Sequence, residues 1–194
     1  SPVLFTGDAK ANSVTGTEFA DIFSGGSGAD IFDGGLGNDS ISGDDGNDSL
    51  FGVEGNDSLS GGPGADTLIG GSGNDSFYYN NFSEGGLGTN VDQIGDFVVG
   101  QDKFILQLNS FPGLSAVPNT DGLSSKSFLV VQSGVYDGSS APAGAAPSDA
   151  FLFYENGSGR FGFDPDGIAG ANPGVTLAIL NGKPAVTASD VSLI

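Results

Sequence analysis

The sequence predicts an all-β protein, a parallel β-roll of two facing sheets wound from short repeats, followed by a β-rich C-terminal segment that caps it. Three observations predict this. Aspartate recurs at an unbroken interval of nine residues, at Asp21, Asp30, Asp39, Asp48, Asp57, Asp66 and Asp75. Two positions after each stands a large apolar residue: Phe23, Phe32, Ile41, Leu50, Leu59, Leu68 and Phe77. The stretch before each aspartate is rich in glycine, and beyond Phe104 glycine thins and apolar runs take its place.

The repeats come first because a fixed period governs the architecture. From Gly25 the chain divides into GGSGADIFD, GGLGNDSIS, GDDGNDSLF, GVEGNDSLS, GGPGADTLI and GGSGNDSFY, preceded in register by a degenerate copy, GTEFADIFS, from Gly16 to Ser24. Position eight is the inward-facing stripe. Its flanks, mostly Ser, Thr or small residues, point outward, so each triplet around position eight reads as a very short strand. Positions one to six form the turn, where glycine at one, two and four permits positive φ and close approach of backbone carbonyls. With strand and turn alternating every nine residues, two repeats complete a coil and each repeat stacks on the next but one. The aspartates then fall into two rows, Asp21, Asp39, Asp57 and Asp75 on one edge, and Asp30, Asp48 and Asp66 on the other.

Rungs of a parallel sheet lie about 4.8 Å apart, so carboxylates in these rows repel one another unless something neutralises them. No protein cation does so. The chain has 24 Asp and Glu against 5 Lys and Arg, a net charge of -19, and no basic residue between Lys10 and Lys103. A run of charge is ordinarily a solvated face, but here the carboxylates are spaced regularly among glycines. A hard divalent ion between successive turns removes the repulsion and takes carbonyl oxygens as further ligands, and such an all-oxygen cage suits calcium better than magnesium. The same charge disfavours nucleic acid and anionic membrane surfaces. With no Cys and no His, disulfides, zinc sites and the usual acid–base relay are unavailable. No apolar run reaches transmembrane length, and a start at Ser1-Pro2 reads as a fragment or processed product.

These copies resemble the RTX nonapeptide GGxGxDxUx, the haemolysin-type calcium-binding repeat, over residues 16 to 79. The resemblance implies several calcium ions. Their carboxylate ligands would be Asp21, Asp30, Asp39, Asp48, Asp57, Asp66 and Asp75. Main-chain oxygens would come from the turns at Gly25, Gly26 and Gly28; Gly34, Gly35 and Gly37; Gly43 and Gly46; Gly52 and Gly55; Gly61, Gly62 and Gly64; and Gly70, Gly71 and Gly73. Asp44 and Val53 replace the second glycine of their copies, and Thr17 and Phe19 interrupt the first copy. The Gly16 turn therefore departs furthest from the pattern.

Past the repeats, VDQIGDFVVGQDKFIL at 91–106 is similar to the segment that closes the roll in serralysin-type metalloproteases and related exoproteins. That similarity implies Asp92 and Asp102 as ligands of a terminal calcium, with Asp96 equally a turn or capping residue; a half-buried strand pair with polar turns is the alternative. The runs FILQL, SFLVVQ, AFLFYE, GRFGFD and VTLAIL read as antiparallel strands covering the open end of the solenoid. APAGAAPS at 141–148 reads as a loop. Asp164-Pro165-Asp166-Gly167 reads as a hairpin turn, with a pair of calcium-binding carboxylates as the alternative. The ending SDVSLI resembles that of type I secretion substrates, and a final cap strand would look the same.

The expected organisation is a lead-in at 1–15, the calcium-binding roll at 16–79 and the cap at 80–194. The expected function is a non-catalytic module of a secreted or cell-surface protein. It stays unfolded where calcium is scarce and folds on binding extracellular calcium, which supports export by type I secretion machinery and the stability of a larger exoprotein. The alternative is an adhesion module whose cap binds a cell-surface or protein partner.

Overall fold

The computed structural model describes residues 1–80, 91–111, 128–131, 151–164 and 174–194. The loop expected at 141–148 and the Pro165–Gly167 portion of the acidic turn lie outside them.

The nonapeptide period becomes two facing sheets. The first carries β1 (Leu4–Thr6), β3 (Ile22–Ser24), β5 (Ser40–Ser42), β7 (Ser58–Ser60) and β9 (Ser76–Tyr79), and is continued by β11 (Lys103–Leu106) and β16 (Val191–Leu193). The second runs from β2 (Ser13–Thr17) through β4 (Ile31–Leu36), β6 (Ser49–Glu54), β8 (Thr67–Ser72) and β10 (Asp92–Ile94). It ends in β15 (Val175–Leu180), β14 (Arg160–Asp164), β13 (Phe151–Glu155) and β12 (Phe128–Val131). All roll strands are parallel and pair two repeats apart: Phe23 opposes Ile41, Ile41 opposes Leu59 and Leu59 opposes Phe77. In the other sheet Phe32 opposes Leu50 and Leu50 opposes Leu68.

This register puts every position-eight side chain inside, where all seven are buried. Each contributes roughly 1.5–3 kcal/mol by leaving water. The stripe runs on into the cap without a break, since Phe104 opposes Phe77, Ile94 opposes Leu68 and Val191 opposes Phe104. Phe104 stacks on Phe161 at 4.1 Å and on Phe97 at 4.8 Å between ring centroids, so one aromatic cluster joins roll to cap.

The strands differ in length between the sheets. In the first, β3, β5 and β7 are triplets. In the second, pairing continues through turn positions two and three, as Gly35–Val53–Gly71 and Leu36–Glu54–Ser72, giving six-residue strands.

Not every cap strand is antiparallel as the sequence suggested. β14 is antiparallel to β13 and β15, but β11 joins β9, β15 joins β10 and β12 joins β13 in parallel. A tight connection dictates the antiparallel pair: four residues separate β13 from β14, with Gly159 at φ 79. β11 instead extends the inward stripe of the roll and adopts the direction of the edge it meets.

Candidate metal centre

The turns bring the aspartates into two continuous rows. In each, the position-six N–H donates to Oδ1 of the aspartate one coil on: Asp21 to Asp39 (2.7 Å), Asp30 to Asp48 (2.8 Å), Asp39 to Asp57 (2.8 Å), Asp48 to Asp66 (2.7 Å) and Asp57 to Asp75 (2.9 Å). The cap continues both rows, because Asp66 N–H donates to Asp92 Oδ1 at 3.1 Å and Asp75 N–H to Asp102 Oδ1 at 3.0 Å. One oxygen of each carboxylate thus holds the ladder together, and all these side chains are buried.

The second oxygen distinguishes the members. Oδ2 of Asp30, Asp39, Asp48, Asp57, Asp66 and Asp75 is buried with no hydrogen-bond partner. A buried carboxylate oxygen without a partner is costly, and six at equivalent places form a pattern. Each faces a cradle kept open by the first glycine of its turn. A Cβ on Gly25 would meet Asp30 Oδ2 and the Gly43 carbonyl oxygen; one on Gly34 would meet Asp39 Oδ2 and the Gly52 carbonyl; one on Gly43 would meet Asp48 Oδ2 and the Gly61 carbonyl. An anionic oxygen and a carbonyl from the next coil thus converge where no side chain fits, and this donor set suits a hard cation. Among the described residues no three acidic side chains converge, so main-chain carbonyls must supply much of any coordination sphere.

Electrostatics agree with the geometry. Burial raises the pKa of Asp48 from 3.8 to about 7, helped by Asp66, Asp30 and Asp44, against the opposing Asp30 N–H. Burial likewise carries Asp57 to about 6, with Asp75 and Asp39 adding to the rise, and carries Asp66 to about 6. Asp39, Asp75 and Asp102 are also raised, in each case chiefly by burial. Carboxylates in this state need a counter-charge to stay ionised.

Backbone conformation at position two separates two substitutions that look alike in the sequence. Gly26, Gly35, Gly62 and Gly71 have φ between 91 and 97. Asp44 takes φ 64 and Val53 takes φ 84 at the same position. Asp44 is compensated locally, accepting hydrogen bonds from the Ser24 and Ser42 hydroxyls and the Gly26 N–H. Val53, β-branched, carries the strain.

Several participants escaped the sequence reading. The register extends one copy further back, through GDAKANSVT from Gly7 to Thr15, which puts Asn12 at position six and Val14 at position eight. Asn12 N–H donates to Asp30 Oδ1 at 2.7 Å, and Val14 opposes Phe32. Stepping back nine from Asp21 would have found it. Asp96 proves to be a capping residue: its two oxygens accept the Gly70 and Gly71 N–H groups at 3.0 and 2.7 Å. Asp164 is buried at the end of β14, in the cap sheet.

The fold and the site together define a parallel β-roll with repeated all-oxygen cradles, the architecture of a calcium-binding repeat protein. Residues 6–41 and 42–77 match the family described as the RTX calcium-binding nonapeptide repeat (4 copies), and this part of the chain is an RTX repeat roll, whose repeats bind several calcium ions. No curated protein matches the chain. Among solved structures it is similar to two subunits of the mannuronan C5-epimerase of Azotobacter vinelandii. The AlgE6R3 subunit is 22% identical, with 94% of this chain and 77% of that one covered and a TM-score of 0.41. The AlgE6R2 subunit is 19% identical, with 98% and 91% covered and a TM-score of 0.40.

Proposed function

We propose that the roll is a folding switch thrown by calcium. The orphaned Oδ2 atoms of Asp30, Asp39, Asp48, Asp57, Asp66 and Asp75 would be the anionic ligands, and the carbonyls of the glycine-rich turns would complete each sphere. The observation that carries this reading is the repetition of one orphaned, buried oxygen beside one open cradle. Bound calcium would supply the positive charge that these rows lack.

The remaining steps concern the chain itself. Without a counter-ion, a glycine-rich segment with no basic side chain between Lys10 and Lys103 must meet its chain entropy and its charge repulsion from one narrow apolar stripe. Since the cradles exist only when successive coils are stacked, cation affinity enters the folding free energy directly. Such a module would stay threadable where free calcium is low and fold at the roughly millimolar levels that extracellular sites are tuned to. This is the behaviour suited to export through type I secretion machinery, with residues 80–194 as the cap. Among the described residues no helix is long and apolar enough to cross a membrane.

Far-UV circular dichroism of the chelated chain, titrated with calcium and separately with magnesium, tests the proposal. A cooperative gain of β signal with calcium alone is the expected outcome. A chain fully folded in chelator and indifferent to calcium would refute it.

A further inference from the structure

The orphaned oxygens belong only to interior rungs. One row reads Asp21, Asp39, Asp57, Asp75 and Asp102, and the other Asn12, Asp30, Asp48, Asp66 and Asp92, in the order set by their N–H to Oδ1 bonds. At each of the four ends the protein has put something else in place of the open oxygen. Asp21 Oδ2 accepts the Thr17 N–H at 2.6 Å and lies 3.1 Å from the Thr17 hydroxyl. Asp102 Oδ2 accepts the Val98 N–H at 2.7 Å. Asp92 Oδ2 accepts the Tyr79 hydroxyl at 3.0 Å, inside the core. At the fourth end the carboxylate is replaced by the neutral Asn12, whose Oδ1 accepts the Asp8 N–H at 3.1 Å.

We infer that both rows of cation sites are closed at both ends by protein hydrogen-bond donors, so that Asp21, Asp92 and Asp102 are structural acceptors and the cation ligands are the six interior carboxylates alone. This rests on the calcium reading above and assigns each carboxylate its part within it. The physical reason is the environment at an end. The strands beyond the terminal carboxylates, β1 past Asp21, β15 past Asp92 and β16 past Asp102, bring no further aspartate into the rows: Val3 N–H donates to Asp21 Oδ1 at 2.6 Å and Ala178 lies opposite Asp92. A donor drawn from the chain serves the last carboxylate of each row, as a capping residue serves a helix end. Thr17 makes the case most sharply. It occupies the position that is glycine in the regular copies, and its own N–H and hydroxyl turn inward onto the carboxylate. The departure of the first copy from the repeat pattern is thus the device that closes the row.

The closing experiment counts calcium ions bound to the full chain by native mass spectrometry, with the binding isotherm from calorimetry, using calcium alone as the probe. Aspartate-to-asparagine changes keep Oδ1 as the ladder acceptor while removing the charge at Oδ2. Asp48→Asn and Asp57→Asn are each expected to lose one bound calcium, whereas Asp21→Asn, Asp92→Asn and Asp102→Asn retain the wild-type number. Loss of an ion in Asp21→Asn, Asp92→Asn or Asp102→Asn, or a full complement retained by Asp48→Asn or Asp57→Asn, overturns the inference. A wild-type chain that binds no calcium instead overturns the reading on which it rests.

Discussion

Val53 offers a test of the turn geometry through its backbone conformation. Its φ of 84 lies where L side chains pay for contact between Cβ and backbone. The cost is about 1–2 kcal/mol for an ordinary residue, with a β-branched one at the upper end. Its side chain is 38% exposed, so truncation forfeits little burial. Replacing it by glycine relieves the strain but adds back about 0.5–1 kcal/mol of unfolded-state entropy, leaving Val53→Gly more stable by about 1 kcal/mol. The reciprocal change one coil on, Gly71→Val, imposes the same strain at φ 97. There the new Cβ would also press on the Val53 backbone, with its carbonyl carbon at 2.7 Å and its Cα at 2.8 Å. That variant is expected to lose at least 2 kcal/mol, the φ cost plus a clash that backbone cannot easily relieve. Urea unfolding in saturating calcium, followed by circular dichroism, measures both. A Val53→Gly chain that unfolds at lower urea than wild type would refute the reasoning, since it would mean that the valine side chain contributes more than its backbone costs.

Two further predictions follow from the core and from the carboxylate rows. Leu59, fully buried between Ile41 and Phe77, should cost about 2–5 kcal/mol on truncation to alanine, read as a lower urea midpoint in calcium; an unchanged midpoint would remove it from the core. The metal-free roll should gain structure as pH falls. A carboxylate whose folded-state pKa lies above 3.8 binds its proton more readily in the folded chain, so its contribution is complete below 3.8 and drains away as pH rises through about 6 for Asp57 and Asp66 and about 7 for Asp48. In chelator, β signal at pH 5 should therefore exceed that at pH 8, and a flat or inverted profile would contradict the burial of these groups.

The period of nine, read from residues 16–79, was enough to derive the two sheets, the pairing of each repeat with the next but one, the buried stripe and the two aspartate rows. It was enough because both sheet register and turn chemistry are local properties repeated in phase. Asp44 and Val53 show where such reading stops. Both are non-glycine residues at position two, and only the folded turns reveal that hydroxyls from Ser24, one coil back, and Ser42, two residues before, support the Asp44 side chain, whereas the apolar Val53 side chain offers nothing to be held in this way. The cap lacked a period, so its strand directions depended on which edges the chain found: β11 and β15 are parallel to the roll strands they join, although their sequences suit either direction. The carboxylates make the same point. Asp21, Asp66 and Asp92 each precede an outward-facing residue and then an apolar one, and nothing local separates them. Asp66 keeps an open oxygen where Asp21 meets Thr17 and Asp92 meets the hydroxyl of Tyr79. Sequence alone determined where the negative charges recur, because that is a matter of spacing. Which of them face a cation and which face a protein donor was decided only by tertiary structure, because a row acquires ends only when coils have been stacked.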